Sequence, residues 1–206
     1  DSDNLKEFNR ALKQIQTQGK RCKEITHKLL SFARKTDSNI QKVNINKMID
    51  EILDLTSQRA KYANVIFEKD LEIDLPHIQA SKTEMQQIMM NLVNNAIDAM
   101  EKTGGLIRVA TWLDGIEVLI EVSDNGPGIP KANLARIFDP LYTTKPVGKG
   151  TGLGLSICYG IIKKMGGQVN VKSVVELGTS FYICLPLETS RKIKTNEKQN
   201  DENNKK

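Results

Sequence analysis

The segment Asn91-Leu-Val-Asn-Asn-Ala-Ile-Asp-Ala99 carries three amide side chains among apolar residues with helical spacing. Asn91 and Asn95 are four positions apart and therefore share one helical face, whereas Asn94 is expected to point elsewhere. Amide oxygens that project together from a rigid helix can coordinate a hard cation such as Mg²⁺. On this segment alone, an ordinary helix with surface asparagines remains an open alternative.

The sequence on both sides of this segment predicts a mixed α and β domain. Ser81 followed by Glu84 is typical of a helix N-terminus, so a helix should run from there to about Lys102. Alternating apolar residues around Asp114-Gly115 predict a β-hairpin. The other predicted elements are helices over Ile45–Gln58 and about Gly152–Met165, and strands over Asn64–Leu71, Leu106–Leu113, Ile116–Ser123, Gln168–Ser173 and Thr179–Leu185.

A glycine-containing segment, Asp124-Asn-Gly-Pro-Gly128, directly follows one of these strands. Glycines let the backbone approach a flat ligand, while the Asp124 carboxylate is an acceptor for an exocyclic amine. A simple surface turn also favours these residue types, and this alternative stays open for the segment alone.

A second glycine-rich segment, Gly148-Lys-Gly-Thr-Gly-Leu-Gly-Leu155, leads into a predicted helix. Glycines allow backbone amides to converge, and a helix N-terminus adds a dipole that favours phosphate. The segment is neither a P-loop nor a Rossmann fingerprint, since no strand immediately precedes it. By itself it is also compatible with a flexible linker.

Composition limits the possible partners. The 206 residues are 39% hydrophobic and 27% charged, which is typical of globular domains. The net charge of +5 is unevenly distributed, with +5 in residues 1–36, +2 in residues 188–206 and −2 in residues 37–187. Because a nucleic-acid surface needs basic residues clustered on a folded face, nucleic acid is not expected as a partner. No apolar run is long enough to span a membrane, and three scattered cysteines favour a reducing, cytoplasmic setting.

Patterning divides the chain into four parts. Residues 1–36 have a heptad seam that begins with Leu5, Phe8, Leu12 and Ile15, which predicts a long helix that needs partner helices. A helix lying on the surface of its own domain is the alternative. Residues 37–42 are expected to be a linker, residues 43–187 the mixed domain, and residues 188–206, rich in Lys, Asn and Glu, a disordered tail.

Taken together and in this order, these segments resemble the ATP-binding domain of sensor histidine kinases, in the superfamily that includes gyrase B, Hsp90 and MutL. The resemblance implies an α+β fold, a two-layer α/β sandwich of the Bergerat type with a mixed sheet backed by helices, preceded by a long helix of a dimerisation bundle. The matching segments are the N box at Asn91–Ala99, the first glycine box at Asp124–Gly128, the F box at Phe138–Lys145, the second glycine box at Gly150–Ser156, and a closing strand with Gly178, Thr179, Phe181, Leu185 and Pro186.

The resemblance also implies which residues bind ATP or ADP with Mg²⁺. Asn95 would hold Mg²⁺, with Asn91 as a further candidate, and these two with Lys145 would form the catalytic set. Asp124 would accept a hydrogen bond from the adenine amine. The other nucleotide-binding residues would be Gly126, Gly128 and Thr179 at the base, Tyr142 beside the base or ribose, Lys145 and Lys149 at the phosphates, and Thr143, Thr144, Gly150, Thr151, Gly152, Leu153, Gly154 and Leu155 in and after a mobile lid over residues 143–151.

One residue type distinguishes a kinase from a hydrolase. ATPases of this superfamily carry a Glu that activates water four residues before the metal-binding Asn, and here that position is Asn91. An amide is not a useful base, and the nearest carboxylates along the helix are Glu84 and Asp98. Such a site suits transfer to a separately presented nucleophile.

The phosphoacceptor histidine is not expected in this chain. A family acceptor lies in a His-Glu/Asp-x-x-x-Pro setting, whereas His27 is followed by Lys-Leu-Leu-Ser-Phe-Ala. Residues 1–36 resemble instead the second helix of the dimerisation hairpin, which implies that the first helix and its acceptor are missing here.

The expected function is therefore the catalytic portion of a sensor histidine kinase. It would transfer the γ-phosphoryl group of Mg-ATP to a histidine on a helix outside this chain, for relay to a response regulator. The parent would be a cytoplasmic or membrane-anchored homodimer joined through the helical hairpin. The alternatives are a stand-alone ATPase or a serine or anti-sigma-type kinase of the same superfamily, and a dimerising scaffold that no longer binds nucleotide.

Overall fold

The computed structural model describes residues 7–19, 39–146 and 150–187. Residues 7–19 form helix α1, on which Phe8, Leu12 and Ile15 of the predicted seam are exposed. His27 and most of the predicted bundle helix lie outside the described residues, as does the predicted tail. Among helices in the part of the chain that the structure describes, none has the length and apolarity that a membrane crossing requires.

Helix α2 spans Ile45–Tyr62 and is the first element of the helical layer. Its N-terminus is capped by Asn44, whose side-chain oxygen accepts a hydrogen bond from the Lys47 amide at 2.9 Å. Its apolar face, which includes Ile49 and Ile52, is buried. The predicted helix is confirmed and extends four residues further than expected.

Helix α3 spans Lys82–Ala99 and carries the amide-rich segment. As predicted, the Ser81 hydroxyl caps it, accepting from the Glu84 amide at 3.3 Å. The predicted end near Lys102 was wrong by one turn, because the chain leaves the helix at Met100 and continues in a turn before the glycine pair.

In the described part of the chain, strands form two sheets, with bounds β1 Ile40–Val43, β2 Val65–Leu71, β3 Ile78–Ser81, β4 Gly105–Asp114, β5 Glu117–Asp124, β6 Gln168–Val174 and β7 Gly178–Pro186. The larger sheet is mixed and has the order β2-β4-β5-β7-β6. The β2 and β4 strands run parallel, and the other neighbours are antiparallel. The predicted hairpin around Asp114-Gly115 is confirmed, and the two last predicted strands also pair with each other.

The smaller sheet was not predicted. Strands β1 and β3 pair antiparallel, with Ile40 opposite Ser81 and Val43 opposite Ile78. Residues 40–42, which were expected in the linker, therefore lie in a strand that adjoins the start of α3. Each strand has only four residues, so neither shows an alternating pattern long enough to be recognised.

The two layers meet over one face of the larger sheet. Val118, Ile120 and Val122 alternate on that face of β5 and are buried, as are Ile88 and Met89 on α3. The opposite face of β4 and β5 carries the ion pair of Arg108 and Glu121 and is only partly buried. The predicted mixed sheet backed by helices is thus confirmed.

Two further helices complete the helical layer. Helix α5 spans Gly154–Lys164 and follows the second glycine-rich segment. Helix α4, Lys131–Leu134, is a short turn inside the region from Asp124 to Thr151 that was predicted to be loop. Asp124 at the end of β5 is paired with Thr179 at the start of β7, so two predicted site residues lie side by side at one end of the sheet.

Candidate functional site

A cavity of about 390 Å³ lies between α3, the ends of β5 and β7, and the segment that precedes α5. Leu153 is buried beneath this segment, Gly126 lines a neighbouring groove, and Lys149 lies outside the described residues. The predicted site residues that do line the cavity are Asn91, Asn95, Asp124, Gly128, Tyr142, Thr143, Thr144, Lys145, Gly150, Thr151, Gly152, Gly154, Leu155 and Thr179.

One end of the cavity is defined by the carboxylate of Asp124. Its Oδ1 accepts a hydrogen bond from the Gly126 amide at 2.9 Å, and the Thr179 amide also donates to this side chain. Burial raises the pKa of Asp124, and these two amide hydrogen bonds only partly oppose the shift. The carboxylate is therefore an oriented, partly dehydrated acceptor whose interaction with a donor is stronger than it would be in water.

The neighbouring hydroxyls hold this end of the site together. Thr179 Oγ1 lies 2.9 Å from Ser173 Oγ, and Ser173 Oγ in turn accepts from the Ile129 amide at 2.7 Å. At Gly128, φ is +69° and an added Cβ would lie 2.2 Å from the carbonyl oxygen of Val174. Gly128 is thus required by the close approach of the β6–β7 turn, a constraint that the sequence did not reveal.

Asn91 is fixed by helix α5. Its Nδ2 donates to the Gly154 carbonyl at 3.3 Å and contacts Cys158 Sγ at 3.5 Å. Burial raises the pKa of the Cys158 thiol to about 12, so the sulfur stays protonated and acts as a weak acceptor. The Asn91 amide is therefore part of the junction between α3 and α5 as well as of the cavity wall.

Asn95 lies one turn further along α3 and faces a cation. The ammonium group of Lys145 is 3.1 Å from Asn95 Oδ1 and 2.6 Å from Asp98 Oδ2. The guanidinium of Arg59, on α2, binds the other carboxylate oxygen of Asp98 and also Asn94 Oδ1. This chain of contacts ties α2, α3 and the predicted lid to one another beside the cavity.

The N-terminus of α5 forms another wall. Among the described residues, no side chain caps it, and Gly154 and Leu155 of its first turn line the cavity. The first amides of a helix lack partners within the helix, so they are donors for an anion. Gly152, with φ +66°, makes the approach possible, since an added Cβ would lie 2.3 Å from the carbonyl carbon of Leu141.

An aromatic group closes the side of the cavity near the short helix α4. Tyr142 lines the cavity and has the Arg136 guanidinium 4.5 Å from its ring centroid. A stacked cation of this kind restricts the ring, so Tyr142 presents a defined apolar surface to the cavity. Arg136 itself was not among the predicted residues.

Sequence reasoning missed several of the polar side chains at this site. Asn94 was expected to point away, yet it lines the cavity and accepts from Arg59. Arg59 and Asp98 also line it. Asp98 could have been found from its position three residues after Asn95, on the same helical face. Nothing in the sequence near Arg59 signals its role, because the contact joins two helices 39 residues apart.

The donor set agrees with Mg²⁺ better than with a transition metal. In the described residues, no group of three or more His, Cys, Asp or Glu could hold a metal ion. Asn95 Oδ1, which accepts from the Lys145 ammonium in this structure, is a carboxamide oxygen and therefore a hard ligand. A metal bound here by one or two protein oxygens would complete its shell with water and phosphate, which is the usual state of Mg²⁺.

Comparison with known proteins agrees with this geometry. The model of the histidine kinase-, DNA gyrase B-, and HSP90-like ATPases matches residues 80–189. Sporulation kinase E of Bacillus subtilis is 32% identical over 188 residues, which make up 91% of this chain and 25% of that protein. Sensor histidine kinase ZraS of Escherichia coli (strain K12) is 35% identical over 172 residues, covering 84% and 36%. The chain thus spans between a quarter and just over a third of these relatives' length.

Solved structures give the same answer. The nucleotide-free catalytic domain of the histidine kinase ThkA is 30% identical, with a TM-score of 0.66 over 74% of this chain and 98% of that domain. ThkA in complex with the response regulator protein TrrA is 26% identical, with a TM-score of 0.72 over 86% of this chain and 50% of that chain. The family match covers more than half of the sequence, and the ThkA domain is covered almost completely. The chain therefore belongs to the histidine kinase-, DNA gyrase B-, and HSP90-like ATPase family and contains the ATP-binding catalytic domain of a histidine kinase.

Proposed function

We propose that this chain is the catalytic portion of a sensor histidine kinase that phosphorylates a histidine on a helix outside the chain. The observation that carries the proposal is that the part of α3 that lines the cavity offers no general base for water. Asn91 stands where a hydrolase needs a base, and its amide is engaged with Gly154 and Cys158. Of the two carboxylates nearest along the helix, Glu84 binds Lys164 and Asp98 binds Arg59 and Lys145.

The residues that line the cavity support one orientation of the nucleotide, with the base at Asp124 and the phosphates beside Asn95. The carboxylate of Asp124 is the acceptor for the adenine amine, and Thr179 lies beside it. The first turn of α5 lines the cavity, and the ammonium of Lys145 lies beside Asn95, so these donors are the proposed contacts of the phosphates. Tyr142 would cover the base or ribose from the side, and Lys149 remains a proposed phosphate contact. The other predicted contacts, Gly126, Leu153 and the lid residues, stand as proposals too.

Mg²⁺ would be held by Asn95, with Asn91 as the second candidate, and would neutralise phosphate charge when bound. The protein groups then orient the γ-phosphoryl group toward an incoming imidazole and leave water without a general base. In the transfer, a bond forms between the imidazole nitrogen and the γ-phosphorus, while the bond to the β,γ-bridging oxygen breaks. ADP leaves with that electron pair, and the acceptor ring loses its other proton to solvent.

The whole-protein features are proposals on the same footing. Exposed Phe8, Leu12 and Ile15 on α1 support a homodimer through a helical hairpin formed by residues 1–36 with a partner helix. The division into residues 1–36, a linker at 37–42, a catalytic domain at 43–187 and a tail at 188–206 is kept with this proposal. A response regulator receiver domain is the proposed final acceptor, and the structure of ThkA in complex with the response regulator protein TrrA supports a partner of this class. The cytoplasm is the proposed location.

The decisive experiment supplies the acceptor separately. The chain is incubated with Mg²⁺, ATP labelled at the γ-phosphate, and the histidine-bearing hairpin of a relative such as ZraS. We expect acid-labile, base-stable label on the hairpin, no label at His27, and little phosphate release without the hairpin. Asn95→Ala should abolish labelling, whereas the control Asn170→Ala, on β6 away from the cavity, should not.

The alternatives give different results in the same assay. Steady phosphate release without an acceptor would support a stand-alone ATPase, and label on serine would support a serine or anti-sigma-type kinase. A calorimetric titration that detects no ADP binding would support a scaffold. Label mapped to His27 would show that the acceptor lies in this chain after all.

A further inference from the structure

We infer that Asp98 is a positioning residue for the phosphate-binding lysine, and that Arg59 makes this role possible. The inference rests on the proposed function, because it assigns roles around the proposed contact between Lys145 and nucleotide phosphate. Neither residue belongs to the predicted site, and Asp98 was considered only as a carboxylate near the missing base.

The geometry shows what Asp98 does to Lys145. Lys145 belongs to the segment before α5, outside any helix or strand. A lysine side chain in a loop loses conformational entropy when it binds a phosphate. Asp98, on the rigid helix α3, holds the ammonium at 2.6 Å and thereby places it 3.1 Å from Asn95 Oδ1. Much of the ordering is therefore complete before the nucleotide arrives.

Arg59 prevents the carboxylate from cancelling the lysine charge. A simple pair of Asp98 and Lys145 would be neutral and would repel phosphate as much as attract it. The guanidinium of Arg59 binds the other oxygen of Asp98, so the three side chains together carry one positive charge. Arg59 is itself oriented by Asn94 Oδ1, which explains why Asn94 faces the cavity.

The arrangement also defines the location of this charge. The side chains of Lys145 and Asp98 are 31% and 28% exposed, so the pair is only partly screened by water. All three residues line both the main cavity and an adjoining groove, and therefore stand on the border between them. A polyphosphate in the cavity would meet the ammonium of Lys145 at a position that Asp98 fixes.

The test is a double-mutant cycle read by calorimetry with ADP and Mg²⁺. Asp98→Asn should weaken ADP binding by about threefold to fivefold, the range of a partly exposed ion pair. Asp98→Glu, which keeps the carboxylate, should retain most of the wild-type ADP affinity. In the Lys145→Met background, Asp98→Asn should have no further effect. Arg59→Gln should also weaken binding, since the remaining carboxylate would then neutralise Lys145.

Two controls separate this role from a structural one. Asp50, on α2 and away from the cavity, has an exposed carboxylate that accepts a hydrogen bond from Lys69 at 2.7 Å. Asp50→Asn should leave the ADP affinity unchanged. Adenosine, which has no phosphate, should bind the Asp98 variants and the wild type equally.

Several outcomes would overturn the inference. They are unchanged or tighter ADP binding by Asp98→Asn, an equal loss for adenosine, and a full effect of Asp98→Asn in the Lys145→Met background. If Asp98→Asn does not fold, Arg59→Gln provides the same comparison. Failure of the proposed function is detected separately, because the hairpin would then remain unlabelled in the transfer assay or the wild-type chain would not bind ADP.

Discussion

Asp124→Asn should separate nucleotide binding from folding. In the wild type, the carboxylate at the end of β5 accepts from the amides of Gly126 and Thr179 and leaves lone pairs facing the cavity. The asparagine oxygen can keep the amide contacts, since the side chain is isosteric. It would then present an NH₂ group to the adenine amine, so that two donors face each other.

The expected loss of ADP affinity equals the contribution of the one hydrogen bond that is removed, between the adenine amine and the Asp124 carboxylate. A hydrogen bond to a charged group contributes about 1.5–3 kcal/mol, which corresponds to about 10-fold to 150-fold in the dissociation constant. Calorimetry with ADP at pH 7.5 measures it. The matched control is Asp114→Asn, an exposed carboxylate at the far end of the same hairpin, which should bind ADP normally. A loss below about threefold would refute the assignment of Asp124 to the base.

Asp124→Asn should raise the free energy of unfolding although it weakens ADP binding. Burial raises the pKa of Asp124 in the folded state above its ordinary value of 3.8. Between that value and the raised pKa, the folded protein holds more protons than the unfolded chain, so this group lowers the free energy of unfolding as pH rises. Asp124→Asn removes this penalty. Its stability relative to the wild type should therefore increase through that pH window and then stay constant, as urea unfolding at several pH values would show.

Three further predictions concern one residue of the cavity wall and two buried or partly buried residues that support it. Gly152→Ala forces a Cβ against the backbone of Leu141 and should weaken ADP binding at least tenfold, whereas Gly160→Ala, which meets nothing within 4 Å on α5, should bind normally. Cys158, with its pKa of about 12, should resist iodoacetamide at pH 8 in the native protein but react in urea, and rapid native labelling found by peptide mapping would contradict its burial. Ser173→Ala leaves a backbone amide without its acceptor and should lower the free energy of unfolding by about 1–3 kcal/mol in urea titration, while exposed Ser57→Ala should change it by less than about 0.5 kcal/mol.

The sequence predicted those parts of the site whose chemistry is local. Three features of the site can each be recognised from a few neighbouring residues. They are Asp124 beside its glycines, the spacing of Asn91 and Asn95, and the glycine-rich segment that leads into α5. The same is true of the cap at Ser81 and of the hairpins, because capping and turn signals act over two to four positions.

The sequence could not predict contacts between distant elements. Arg59 reaches Asp98 across 39 positions, and Ser173 supports Ile129 across 44. Such contacts depend on how helices and strands pack against each other, and this packing produces no recognisable sequence pattern around either residue. The small sheet of β1 and β3 was missed for the related reason that each strand is short and acquires its structure from its partner.

The position of α3 explains why one helix can supply both the core and the site. Ile88, Met89 and Leu92 anchor it against the sheet and its neighbouring helices, so it cannot rotate without opening the core. The polar groups that α3 presents to the cavity are three amides and one doubly paired carboxylate. Such a face orients a polyphosphate through hydrogen bonds and charge while offering water no base. The proposed function, in which ATP is held until a separate histidine arrives, needs this combination. Asn91→Glu should therefore raise the rate of phosphate release without an acceptor, measured against the wild type.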